Sequence, residues 1–350
     1  MEFLSEYGLF VAKAITIVVA ILIVIIVGFA ASHRNKGEAD GEIEVSKLND
    51  KFDDMEHALK ASVMSEEEFK QAEKQQKKAE KQKAKEKKKA KKDVSEDDRK
   101  KRIYVLEFDG DTSASEVANL REEITAVLTL ADKQDEVVVK LESPGGMVHT
   151  YGLAASQLNR IRQKEIPLTI TVDAVAASGG YMMACIGNKI LAAPFAMIGS
   201  IGVIAQLPNF SKLLKKNDID FEMFTAGEYK RTVTMFGENT EQDREKFREE
   251  LEDTHVLFKN FVSEHRPQLN ISEVATGEAW YGKRALEKHL IDDIQTSDEY
   301  LLSQWKEADI FEVNYVTKKS LQEKLGFAAS TVADRVVGKL LERFRNDRFF

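Results

Sequence analysis

From Ile103 to Ala193, short runs of aliphatic and β-branched residues alternate with longer stretches of helical spacing, and this alternation constrains the fold more than anything else in the chain. The strand-like runs are Ile103–Phe108, Glu136–Leu141, Leu168–Val172 and Lys189–Ala193. Val117, Leu120, Ile124, Val127 and Leu128 predict a helix over Glu116–Leu130 with Ser115 as its N-cap. A second helix is expected over Met147–Arg162. Strands separated by helices in this rhythm build a mostly parallel sheet with crossover helices, an α/β fold. Met182 to Ala205 is apolar, but Asn188, Lys189 and Pro194 interrupt it, which marks buried core rather than a membrane span. Further on, the pattern predicts a short helix over Phe210–Lys216, a strand over Phe221–Thr225 and a long charged helix over Thr240–His265. The apolar stripe of that helix is Phe247, Leu251, Phe258 and Val262. Thr276–Gly282 reads as a compact turn and Lys283–His289 as another helix.

Ahead of this block the composition changes twice. Ala14 to Ala31 carries no charge, and at 1.5 Å per residue its length of about 27 Å matches the hydrocarbon core of a bilayer. A cleavable signal peptide is the alternative, given the small residues of Gly28-Phe29-Ala30, but the apolar run is long for one. An uncleaved anchor is therefore expected. Arg34, Lys36 and Lys47 after the span lean weakly towards a cytoplasmic body. Val45, Leu48, Phe52, Met55 and Leu59 predict a helix with one narrow apolar seam, open to pairing with a neighbouring copy. Ser65 and Glu68 form a capping box that opens another helix. From Lys70 to Arg102 the chain is mostly Lys, Glu, Gln and Ala, either a solvated spacer or a binder of anionic headgroups. No aromatic residue interleaves the lysines, so nucleic acid is not expected as a partner. The expected division is an anchor at 1–32, a helical Lys-rich linker at 33–102, a catalytic domain at 103–300 and an extension at 301–350. In that extension Thr331–Phe344 is amphipathic, suited to its own domain, a partner or the membrane surface. The single cysteine, Cys185, excludes an internal disulfide and reads as buried packing. Six scattered histidines give no metal-ligand spacing, and no metal or cofactor is expected.

The chemistry concentrates at Ala176-Ala177-Ser178-Gly179-Gly180, between a strand-like run and a helix-like one. A serine there sits where helical N–H groups lack partners, and two glycines let another chain approach its hydroxyl. The competing reading is a helix N-cap serine followed by a loose glycine pair. Acyl transfer needs a nucleophile, a base, and donors aimed at the oxygen that becomes negative. The Gly179 N–H and the turn Gly145-Gly146 after the second strand fit the donors, because both loops leave a parallel sheet at its carboxyl edge. Two residues stand as candidate bases. His149 lies near the glycine turn, and Lys230 follows a predicted strand on a Gly-containing loop. A lysine serves only where burial brings its pKa from about 10.4 to roughly 7–8.

Four motifs in order carry a resemblance: Ser143-Pro144-Gly145-Gly146, Ala176 to Tyr181, Ile198-Gly199-Ser200-Ile201-Gly202-Val203, and Gly227-Glu228-Tyr229-Lys230. Residues 103–294 resemble the catalytic domain of the bacterial signal peptide peptidase (SppA) family of Ser-Lys peptidases, and the single anchor with a lysine-rich linker resembles its shorter members. The resemblance implies a ClpP/crotonase-like spiral of ββα units. It also implies Ser178 as nucleophile, Lys230 as base, Gly146 and Gly179 as the oxyanion hole, and Ser200 orienting the lysine. It further implies peptide substrates, an inner-membrane location leaning to the periplasmic side, and a homo-oligomer with active sites near subunit interfaces. Asp173-Ala174 and Met182 depart from the family pattern, at positions expected to touch substrate subsites. The rival functions are a crotonase-like enzyme acting on acyl-CoA and a non-catalytic membrane scaffold.

Overall fold

The uninterrupted apolar runs of the sequence become strands buried on both faces, as a parallel sheet covered by helices requires. In the computed structural model, which describes residues 41–75 and 99–317 with Lys13 and Lys78 as isolated helical positions, β3 (Glu136–Glu142) and β4 (Leu168–Val172) are the centre of a seven-stranded sheet. Its order is β1 (Gly41–Lys47), β10 (Asp309–Thr317), β2 (Arg102–Asp109), β3, β4, β6 (Lys189–Ala192) and β9 (Asp293–Ile294). Parallel registers run through the sheet from Ile310↔Ile103 and Ile103↔Glu136 to Val137↔Leu168, Ile170↔Ile190 and Leu191↔Asp293. A second sheet of three strands joins β5 (Val175–Ala177) in parallel to β7 (Met197–Gly199), which pairs antiparallel with β8 (Ala279–Tyr281). The fold is mixed α/β with a parallel-rich sheet.

Helices α2 (Val117–Leu128), α3 (Val148–Gln163) and α4 (Gly179–Ala184) cover one face, and their apolar residues share a single core with Leu106, Val139, Ile170 and Ile190. The other face has a smaller core of Ile103, Val105, Val138, Leu191 and Ile310. It is closed by Tyr300 and Leu301 of α9 (Ser297–Gln304), with Leu48 and Phe52 of α1 (Leu48–Val63) packed against it. The Asn49 amide ties α1 down by donating to the Trp305 and Ala308 carbonyls at 2.9 Å each. Residues 43–315 make one compact unit, which carries all that follows. The second unit, 1–42 with 316–350, holds among the described residues only Lys13 and the outer ends of β1 and β10. The expected anchor at 14–31, the Lys-rich run at 79–98 and the tail at 331–344 lie outside the described residues. Among the described residues no helix is long and apolar enough to cross a membrane.

Several expectations change. Val45 lies in β1, so the predicted seam is not one helix; Leu48 and Phe52 face the chain's own core while Met55 and Leu59 stay exposed. Part of the expected linker is thus a working layer of the sheet. Ser115 does not cap α2, because its hydroxyl and N–H both bond the Asp111 carboxylate. Phe221–Thr225 is not a strand, since among the described residues no neighbouring strand pairs with it. Thr276–Gly282 contains β8 rather than turn alone. By contrast, the expected capping box at Ser65/Glu68 forms, and an unforeseen one at Thr240/Asp243 opens α6 (Glu241–His265). Cys185 is fully buried, and burial pushes its thiol pKa far up, as inert packing requires.

Candidate active site

β3 does not stop cleanly at Glu142. Ser143 continues it into a bridge with Ala176 of β5, donating its N–H to the Val175 carbonyl (2.8 Å) and accepting from the Ala177 N–H (3.0 Å). Two chemically marked loops, Ser143–Gly146 after β3 and Ser178–Gly180 after β5, are thereby stitched side by side. Gly145 has φ +89°, a backbone that L side chains avoid. A Cβ on it would lie 2.6 Å from the Ala177 carbonyl oxygen, 2.7 Å from the Gly179 nitrogen and 2.7 Å from Ser178 Cβ. A Cβ on Gly146 would reach 2.1 Å from the Thr112 carbonyl oxygen. Glycine is needed at both places for backbone to meet backbone.

Ser178 occupies φ 53°, ψ −118°, far from the helical and strand basins and costing about 1–3 kcal/mol for a residue with a Cβ. The conformation is pinned from both sides, by its N–H on the Gly199 carbonyl (2.8 Å) and by its carbonyl accepting from Met182 (3.0 Å). It stands at the N-cap of α4 but makes no capping bond, and among the described residues its hydroxyl has no hydrogen-bond partner. The N-cap alternative is therefore not what the side chain does. The N–H groups of Gly146 and Gly179 are likewise unengaged among the described residues. α4 has 6 residues, so its macrodipole is slight and the free N–H groups themselves supply the local positive field. A strained serine with a free hydroxyl, near two free amide donors, is an arrangement able to carry out acyl transfer.

The remaining candidates divide. Ser200 (φ 50°) immediately follows the Gly199 that holds Ser178; its N–H donates to the Glu278 carbonyl (2.7 Å) and its hydroxyl to the Gly277 carbonyl (3.4 Å). Lys230 is exposed on a turn, its N–H on the Gly227 carbonyl (3.3 Å). It lines a cavity of about 740 Å³ with Leu207, Phe221, Met223, Phe224 and Phe236, whose walls include neither Ser178 nor Ser200. Within one chain, then, the structure brings the Ser178, Gly146, Gly179 and Ser200 loops together, and among the described residues no hydrogen bond links Lys230 to Ser178 or Ser200. His149 is exposed on the first turn of α3. Of the two departures from the family pattern, Asp173-Ala174 is exposed and Met182 is not. The Asp173 carboxylate accepts the N–H (2.8 Å) and hydroxyl of Ser297, anchoring α9, and Met182 is buried in the core. Sequence reasoning missed Tyr151 and the Ser143 side chain, both fully buried beneath the two loops. No spacing signal marks a contact made across a bend.

The family model for the peptidase family S49 N-terminal region matches residues 2–158, and that for peptidase family S49 matches residues 160–310. The chain is 51 % identical over 339 residues to "Probable protease SohB" of Haemophilus influenzae, covering 96 % of each chain. The chain belongs to peptidase family S49. A second relative of the same printed name, from Buchnera aphidicola subsp. Acyrthosiphon pisum, is 50 % identical over 94 % of each chain. Family membership makes the protein a protease, and the resemblance carried by the four motifs holds. The acyl-CoA and scaffold readings fall away with it. Among solved structures, the membrane-bound stomatin-specific protease 1510-N superposes with a TM-score of 0.39 at 16 % identity over 59 % of this chain and 85 % of that one, too weak a likeness to speak to the site.

Proposed function

We propose that this S49 protease is a membrane-anchored serine endopeptidase of ClpP/crotonase-like fold that cleaves exposed peptides, signal-peptide remnants among them, near the bilayer. The observation that carries the reading is Ser178 itself, held in a strained backbone with a hydroxyl that, like the nearby Gly146 and Gly179 N–H groups, has no partner among the described residues. In the proposed mechanism Ser178 Oγ attacks the scissile carbonyl. The oxyanion takes the Gly146 and Gly179 N–H groups, and the Lys230 amine receives the proton and returns it to the leaving nitrogen. Water then releases the acyl group by the same route reversed.

In this reading Lys230 reaches Ser178 of a neighbouring copy, with Ser200 orienting it. What supports an assembly is the segment bearing Lys230: Ile204, Leu213, Met223 and Phe224 are 78 %, 56 %, 45 % and 90 % exposed. Large apolar side chains so exposed are a cost to a lone monomer that packing on another chain would relieve, and such packing would also strip water from the amine. The stretch 14–31 would be the anchor, with the catalytic unit on the periplasmic side. A fluorophosphonate probe followed by peptide mapping tests the nucleophile. Labelling confined to Ser178, and lost in Ser178→Ala, is expected; an unlabelled wild type, or a label on another serine, refutes it.

A further inference from the structure

Beneath the two loops lies a buried chain of hydrogen bonds whose direction is set by its ends. The Gly145 N–H donates to Ser143 Oγ (3.1 Å), Ser143 Oγ and Tyr151 Oη lie 2.6 Å apart, and Tyr151 Oη donates to the Asp111 carbonyl (2.7 Å). The Asp111 carbonyl can only accept, so the single phenolic proton points to it, and the Ser143 hydroxyl must donate to Tyr151. That leaves the Ser143 oxygen to receive Gly145. The polarity of the relay is therefore fixed as Gly145 to Ser143 to Tyr151 to Asp111. Burial also pushes the Tyr151 phenol pKa upward, which keeps it protonated.

The same tyrosine supports the other loop with its ring. A Cβ on Gly179 would lie 2.4 Å from Tyr151 Cγ, so the Gly179 backbone rests directly on the aromatic face. Two more glycines close around the pair. A Cβ on Gly110 would lie 2.5 Å from both Ser143 Oγ and Tyr151 Oη, and one on Gly180 would lie 2.5 Å from the Ser143 carbonyl oxygen. Ser143 and Tyr151 have no solvent exposure, and the ring stands edge-on to Phe108 at 6.4 Å.

We propose that Tyr151, acting through Ser143, is a positioning residue that sets the aim of both oxyanion donors at once, the Gly146 N–H through the hydroxyl relay and the Gly179 N–H through the ring. This rests on Ser178 being the nucleophile. Tyr151 touches no reacting atom; its effect is to hold two loops from different strands at one separation. Tyr151→Phe keeps the ring under Gly179 and cuts the relay, so only the Gly145-Gly146 half loosens.

The test compares wild type, Tyr151→Phe, Ser143→Ala and the double variant below their melting temperatures. The readouts are kcat and KM on a peptide substrate, the affinity of a peptide boronate that forms a tetrahedral serine adduct, and the affinity of a product peptide. Tyr151→Phe is expected to lower kcat and boronate affinity together by about tenfold, less than loss of an oxyanion donor outright, with KM and product affinity unchanged. The double variant is expected to fall no further than Ser143→Ala, because one relay is cut twice. A merely structural tyrosine would lower melting temperature without moving boronate against product affinity. Should Tyr151→Phe fail to fold, Gly110→Ala presses on the same pair from outside and must give the same signature. Equal boronate affinity in wild type and variant, or additive losses, overturns the proposal. A wild type that takes no probe at Ser178 instead overturns the nucleophile assignment on which it rests.

Discussion

Three glycine-to-alanine changes separate backbone strain from steric contact at the site. At Gly152, in the middle of α3, an added Cβ meets nothing within 4 Å and the backbone has no positive φ. Gly152→Ala should stabilise the fold by about 0.5–1 kcal/mol, through reduced freedom of the unfolded chain, and leave kcat alone. At Gly277 the φ is +84° but the space is again open, so alanine there incurs strain only, about 1–2 kcal/mol. At Gly145 the φ of +89° is joined by three contacts of 2.6–2.7 Å, two of them with backbone atoms that cannot swing aside. The Ser143–Gly146 loop must then move off Ser178 by several tenths of an ångström. Displacement on that scale, against about a hundredfold for a full ångström, should lower kcat by roughly four- to tenfold. The assay is steady-state peptide hydrolysis with the rate of fluorophosphonate labelling, alongside thermal melts. If Gly145→Ala matches Gly152→Ala in kcat and labelling rate, the glycine loop does not set the oxyanion geometry and the site description is wrong.

Other consequences concern stability and assembly. The Glu123 carboxyl, buried on α2, is pushed up to about 7 by burial, although the Tyr315 N–H donates to it (2.9 Å). Its raised folded pKa means full stability below about pH 4.5 and progressive loss up to about 7, of order 3 kcal/mol; Glu123→Gln should remove that loss, so equal pH slopes in urea melts refute it. Arg266, 3 % exposed, holds both Asp292 oxygens at 2.9 Å and the His289 carbonyl at 3.0 Å; Asp292→Asn should cost about 3 kcal/mol by leaving a buried cation unpaired, and a loss below 1 kcal/mol would show the pair to be solvated. Phe224→Glu should shift the protein to smaller species in sedimentation and lose peptidase activity in parallel; an active monomer would contradict the shared site.

The central strands were legible because burial on both faces demands continuous apolar runs, and Val137-Val138-Val139 and Leu168–Val172 have them. β7, β8 and β9 span only 3, 3 and 2 residues, too short for any period to emerge. Phe221 and Met223 alternate like a strand, but what makes a strand is a neighbouring edge, and a sequence window does not contain the neighbour. β1 was hidden for the same reason, and the helix after it was expected without its packing, because their partners β10 and α9 lie at the far end of the chain. At the site, Ser178 and its glycines were readable because close backbone approach restricts residue type sharply. Tyr151 was not, since a buried tyrosine on a helix looks like core until its hydroxyl is seen to meet Ser143.

The account depends most on a serine and a lysine that meet across two copies, and mixing two dead variants tests this directly. Ser178→Ala and Lys230→Ala proteins, each inactive alone, are unfolded together and co-refolded or co-expressed in equal amounts, and peptidase activity is measured. In a head-to-tail ring about one interface in four would pair an intact Ser178 with an intact Lys230, so activity should return to roughly a quarter of wild type. Mixed assemblies that form and stay inactive would place both groups in one chain or remove Lys230 from the chemistry, and the shared site would have to be abandoned.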